Sequence, residues 1–251
     1  MIYGLYLSAT GIMTSTYQQD VVSNNLANSE TTGFKRDVTA FRQRVTAEQE
    51  SRRPGDWSDA NLEGIGGGML VQPNHIDFAQ GGIEQTGAPL DVALQGDGFF
   101  GVDDNGKTRL TRDGRFQLDR SGNLIVTGGQ AVLDQSGRPI KLAPDSPVTI
   151  DKAGGVIQEG NVVATLGVFD VPDRAKLTKQ GNGLFAYPNP NQIGPGAATV
   201  HSEYLESSNV EPTNEMAALM ETQRQLEANA NMIHTQDSML QLLVNNVGKI
   251  S

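Results

Sequence analysis

Apolar residues recur with a seven-residue period at the C-terminal end of the chain. Leu219, Leu226, Ile233, Leu240 and Val247 follow one another at that interval. Met216, Ala230 and Val244 outline a second seam, interrupted by Gln223 and Asp237. Pro212 suits a first helical turn and Gly248 a C-terminal cap, so the pattern predicts one long helix with a coiled-coil stripe. A second helix is predicted over residues 2–28. Leu5, Ile12 and Leu26 keep heptad spacing, Gln19 fills the missing place, and Ala9 and Val22 widen the stripe. The rest of that segment is largely Ser, Thr, Asn and Gln, and Asp20 is its one charged side chain. Solvent-facing helices normally carry Glu and Lys, which favour helix and form i,i+4 pairs. The outer face of this helix is therefore expected to meet protein.

Between the ends the period changes. Residues 51–68, "SRRPGDWSDANLEGIGGG", are polar and punctuated by Pro and Gly, which predicts a loop or extended linker with Trp57 as a local packing anchor. From Met69 to Val200 the runs are strand-length. In "PLDVALQ", Leu90, Val92 and Leu94 alternate with Asp91, Ala93 and Gln95, predicting one buried face. A D-x-x-G unit recurs at Asp103–Gly106, Asp119–Gly122, Asp134–Gly137 and Asp151–Gly154, with the residue preferences of type I turns. The predicted fold class is α+β: discontinuous N- and C-terminal coiled-coil helices flank an inserted antiparallel β-domain. The expected domains are 1–35 with 205–251 (terminal helices), 36–68 (linker) and 69–204 (β-domain).

Composition narrows the chemistry. The chain of 251 residues has a net charge of -10 and 29 glycines, fitting a turn-rich β body and no general nucleic-acid binding. It has no cysteine, which excludes disulfides, thiolate metal sites and thiol nucleophiles. No run reaches the ~18 apolar residues of a membrane-spanning helix. The start, "MIYGLYLSATGIMTS", has no basic residue before its apolar patch, a poor general-secretory signal; an exported chain is expected to leave by another route.

"GDGFFG" (96–101) satisfies G-x-G-x-x-G, but a turn, "VDDNGK", follows where a dinucleotide site needs a helix. An EF-hand with Gly106 as its turn glycine would begin at Gly101 and end at Arg112, neither a carboxylate ligand. His75, His201 and His234 are scattered. No catalytic residue, metal ligand or cofactor is assigned, and the chain is expected not to be an enzyme.

The ends carry a family resemblance. Asn25, Leu26, Ala27 and Asn28, followed by Thr31, Gly33, Phe34 and Lys35, resemble the N-L-A-N-x-x-T-x-G-F-K signature of bacterial flagellar rod and hook proteins. "QGDGFF" and "LTRDGRFQLDRSGNLIVTGG" are similar to the β-domain blocks of that family, and "YLESSNVEPTNEMAALMETQRQLEANANMI" to its C-terminal block. Glu211, Leu226 and Asn231 depart from the usual pattern of that last block. The resemblance implies a rod subunit of the flagellar basal body, proximal or distal in type; the length leaves no room for the further β-domain usual in hook proteins. It implies export by the flagellar type III apparatus, helical polymerisation with itself and other rod and hook axial proteins, and a position within the basal-body rings. The assembly interface is then expected at Leu5, Ile12, Val22, Leu26, Leu219, Leu226, Ile233, Leu240 and Val247, with Gly33 and Phe34 marking a hinge. The alternatives are a carbohydrate- or partner-binding β-domain oligomerised by its helices, and a nucleotide-dependent enzyme using "GDGFFG".

Overall fold

The structure, a computed structural model, describes residues 2–43, 68–143 and 146–247. Two helices, Ile2–Ala27 and Pro212–Val247, enclose a central antiparallel β-rich region in the sequence, so the fold is α+β. Most of the 51–68 segment, including Trp57, lies outside the described residues. The chain divides into two compact units. The first, the helical unit, comprises Met1–Leu26, Asp37–His75 and Glu211–Ser251; the second, the β-unit, comprises Ala27–Arg36 and Ile76–Val210. The signature segment from Asn28 to Lys35 is therefore part of the β-unit and separate from the helix that precedes it.

In the helical unit, Pro212 opens the C-terminal helix and Glu215 sits in its first turn, both favourable there. The N-terminal helix has no acidic residue in its first turn and no basic one in its last. Residues 37–43, read from the sequence as linker, instead form a strand, Asp37–Gln43, paired with Met69–Ile76. Its "DVTAFRQ" has the β-branched and aromatic content that the polar run downstream obscured. The Tyr17 hydroxyl donates to Asn74 Oδ1 at 2.9 Å, tying the N-terminal helix to that pair.

The β-unit is built on a nine-stranded sheet. Its path runs Thr178–Lys179, Leu184–Ala186, Lys107–Thr111, Phe99–Asp104, Ala131–Val132, Leu124–Val126 and Phe116–Leu118. Val168–Asp170 branches from Phe99–Asp104 and pairs with Gly194–Pro195. A three-stranded sheet (Val148–Ile150, Gly155–Gln158, Asn161–Thr165) and two strand pairs complete it: Val92–Gln95 with Thr199–Ser202, and Ile83–Gln85 with Tyr204–Glu206. One apolar cluster gathers around Phe100, Val102, Leu124 and Val156, and a second around Phe99, Leu110 and Phe185.

Three of the four D-x-x-G units form the expected turn. The Gly122, Gly137 and Gly154 amides donate to the carbonyls of Asp119, Asp134 and Asp151, while each Asp side chain accepts from amides further along the turn. The fourth differs: Asn105 and Gly106 both have positive φ and make a two-residue hairpin turn, closed by the Asp104–Lys107 pair. "PLDVALQ" also departs from expectation. The strand is Val92–Gln95, and Ala93 is as buried as Val92 and Leu94, so both faces are covered. After Gly96 and Gly98 the chain enters strand Phe99–Asp104, with no helix to receive a pyrophosphate.

Candidate assembly interface and signature segment

Polar and small side chains dominate the seam of the helical unit. Its buried described residues are Ser8, Thr14, Ser15, Asn25, Glu215 and Thr222, against only Val21 and Val22 among apolar ones. Leu5, Ile12 and Leu26 are half-buried and Val22 is buried; Leu219, Leu226, Ile233 and Leu240 are half-buried, and the Val247 side chain lies outside the described residues. The second seam is displaced from the sequence reading by one residue. Met216, Gln223, Asp237 and Val244 point to solvent, and of that set only Ala230 is half-buried. The positions turned inward are Glu215, Thr222, Asn229 and Gln236.

Three of them, Gln236, Asn229 and Glu215, face Gly4, Gly11 and Asn25 of the N-terminal helix. A Cβ at Gly4 would lie 2.7 Å from Gln236 Nε2, and one at Gly11 2.8 Å from Asn229 Nδ2. At the far end Asn25 Nδ2 reaches Glu215 Oε2 at 3.4 Å. Each seven-residue step forward on one helix is thus a seven-residue step back on the other, so the two are antiparallel in fixed register. Hydroxyls in the seam bond within their own helix: Thr14 to the Thr10 and Gly11 carbonyls, Thr222 to those of Ala218 and Leu219. Gln236 Oε1 is buried with no hydrogen-bond partner. Meanwhile Met13 (70% exposed), Met216, Met220, Met232, Met239, Leu242 and Leu243 face outward.

Asn25, the first signature residue, pairs with the Asp37 backbone in both directions. Its Nδ2 donates to Asp37 O at 2.9 Å, and its Oδ1 accepts from Asp37 N at 3.0 Å. Leu26 ends the helical unit's first segment, and the signature residues from Ala27 onward lie in the β-unit. Thr31 Oγ1 donates to Asn28 Oδ1, and the Phe34 amide to Thr31 O. Gly33 has φ 67, and a Cβ there would fall 2.4 Å from the Arg112 carbonyl carbon, so no other residue fits. Phe34 is buried beneath the Lys179 ammonium, 4.1 Å from its ring centroid.

Lys35 is fully buried. Its Nζ donates to Glu206 Oε1 at 2.6 Å and to Ala79 O at 2.8 Å. Glu206 Oε1 also accepts from the Gly81 amide, and Oε2 from Arg112 Nη1 at 3.0 Å. Arg112 in turn donates to the Leu94 and Gly96 carbonyls and stacks over Phe99. Burial pushes the Lys35 pKa below its ordinary value, and the Glu206 charge opposes the shift without cancelling it. Three residues on, Asn209 accepts from the Arg36 amide and donates to the Asp77 and Ala79 carbonyls. Glu206, Asn209 and Arg112 were not singled out from the sequence. The available signal was "YLESSNV", a carboxylate and an amide set among strand residues near a block already marked by resemblance. Among the described residues no three His, Cys, Asp or Glu side chains gather as a metal site.

The match to known proteins covers both helical ends and the middle. Residues 5–35 fit the family described as flagella basal body rod protein, residues 93–163 the flagellar hook protein FlgE/F/G D1 domain, and residues 201–246 the flagellar basal body rod FlgEFG protein C-terminal region. The chain is 34% identical over 253 residues to the flagellar basal-body rod protein FlgF of Caulobacter vibrioides, covering 98% of each. It is 31% identical over 266 residues to the rod protein FlgG of Bacillus subtilis, covering 98% of this chain and 99% of that one. With FlgG of Caulobacter vibrioides it shares 30% over 254 residues, 94% and 96% of the two chains. The chain belongs to the flagellar basal-body rod protein family.

Proposed function

We propose that this chain is a structural, non-enzymatic subunit of the basal-body rod, joined to copies of itself and to related rod and hook proteins through its terminal helices. One observation carries the reading: the helical unit buries mostly polar groups while leaving Met13, Met232, Met239, Leu242 and Leu243 exposed. An apolar surface of this kind on a helix pair marks a protein–protein contact. The half-buried Leu5, Ile12, Leu26, Leu219, Leu226, Ile233 and Leu240 would be covered when neighbouring helices complete a coiled-coil-like packing, with Val22 inside it. Export by the flagellar type III apparatus and contact with the surrounding rings follow from the same reading.

The test is location. A tagged chain that replaces the native gene should restore motility and co-purify with basal bodies stripped of filament and hook. A complementing chain found only outside such basal bodies would overturn the proposal. The carbohydrate-binding alternative has no comparable observation in its favour.

A further inference from the structure

The two blocks that mark the family at opposite ends of the sequence meet in the β-unit. We propose that Glu206 and Asn209 form a clasp that orders residues 33–36, and that it closes only after the C-terminal part of the β-unit has arrived. The inference does not depend on the assembly reading.

The geometry is specific. Glu206 spends one carboxylate oxygen on Lys35 and Gly81 and the other on Arg112. Its backbone carbonyl accepts the Gly33 amide at 2.7 Å. Asn209 takes the Arg36 amide and holds the Asp77 and Ala79 carbonyls. Segments 33–36 and 77–81 are thus each bonded to 206–209, and they meet one another through Lys35 Nζ to Ala79 O and the Asp77 amide to Arg36 O. A buried ammonium without its carboxylate is strongly unfavourable, so Lys35 cannot take its place until Glu206 does. Lys35 and Glu206 are separated by 171 positions. A chain growing or emerging from its N-terminus therefore carries its signature segment unlatched until residue 209 is free to fold. Arg112 is a positioning residue: it holds the second carboxylate oxygen so that the first faces Lys35.

The full-length purified chain tests this by amide hydrogen exchange. Lys35→Met removes the ammonium and keeps the stem, leaving Glu206 paired with Arg112 and Gly81. Asn209→Ala leaves the charged triad intact and removes the amide. Each should speed exchange over residues 33–36 at least tenfold, with Phe99–Thr111 unchanged. In pulsed exchange during refolding of the unaltered chain, protection at residues 33–36 should appear together with that at 206–209 and after that at Phe99–Thr111. Wild-type protection in both variants overturns the clasp. So does loss of protection across the whole β-unit in both, since the segment would then be inseparable from the core. Protection at 33–36 preceding that at 206–209 overturns the order of closure.

Discussion

The β-unit and the helical unit solve burial in opposite ways. In the first, sixteen of the described residues form one apolar cluster around Phe100, with aromatic pairs such as Phe100–Phe116 at 5.0 Å. In the second, hydroxyls, amides and a carboxylate occupy the seam, and Met13, Met216, Met220, Met232, Met239, Leu242 and Leu243 stay outside. Apolar burial stabilises at about 25 cal/mol per Å², so the β-unit has a large internal driving force. Satisfied polar groups add little net stability, and the helical unit gains correspondingly little by pairing within one chain. The contrast teaches where each unit finds its stability: one in itself, the other, if the proposed assembly holds, in a partner.

The largest effect is expected from Ile233→Asp. It places a carboxylate in the half-buried stripe, where covering it by a neighbour would cost several kcal/mol. Incorporation into rods and motility should be lost, while the β-unit keeps its circular dichroism and thermal transition; Ile233→Leu should assemble. Normal motility in the Asp variant would show that this stripe is not the interface. Phe100→Ala is the reverse experiment. Phe100 is wholly buried, and its truncation should destabilise the β-unit by about 3–5 kcal/mol. Thermal denaturation should show that loss, with helical ellipticity unaffected before the transition; a negligible shift would mean the core is not where the apolar cluster lies.

A smaller change is expected within the helical unit. Asn25→Ala removes two hydrogen bonds to the half-buried Asp37 backbone, each contributing about 0.5–1.5 kcal/mol. Exchange near Asp37 should quicken while the β-unit transition stays in place. The smallest effect concerns Asp97. Hydrogen bonding from the Arg174 guanidinium holds its carboxyl below the usual range. A depressed carboxyl pKa contributes stability above the unfolded value of about 3.9 and loses it as pH falls through the folded value. Asp97 is largely exposed, so the contribution is at most about 0.2–1 kcal/mol. Asp97→Asn should flatten the stability profile below pH 4 and leave it unchanged at high salt.

What the sequence made legible followed from locality and period. The stripe from Leu219 to Leu240 is visible because four aliphatic residues repeat at seven, and the Asp–Gly turns because their partners sit within a few residues. The inward seam was misplaced because Thr222, Asn229 and Gln236 are polar, and a search for apolar repeats passes over them in favour of Met216 and Val244. Gly4 and Gly11 carry no side chain to reveal what they accommodate. Lys35 was marked by resemblance, yet its burial depends on a carboxylate 171 positions away, and no local pattern records such a distance. Asp37–Gln43 was hidden by its polar continuation, since its partner strand begins only at Met69.

The antiparallel register of the helices also governs how such chains change length. Gly4 opposite Gln236 and Gly11 opposite Asn229 keep step only while both helices count alike. A single-residue deletion between those glycines would rotate everything beyond it by about 100° and turn an amide against a side chain instead of a gap. Insertions are tolerated there only as matched blocks of seven, about 10.5 Å at a time.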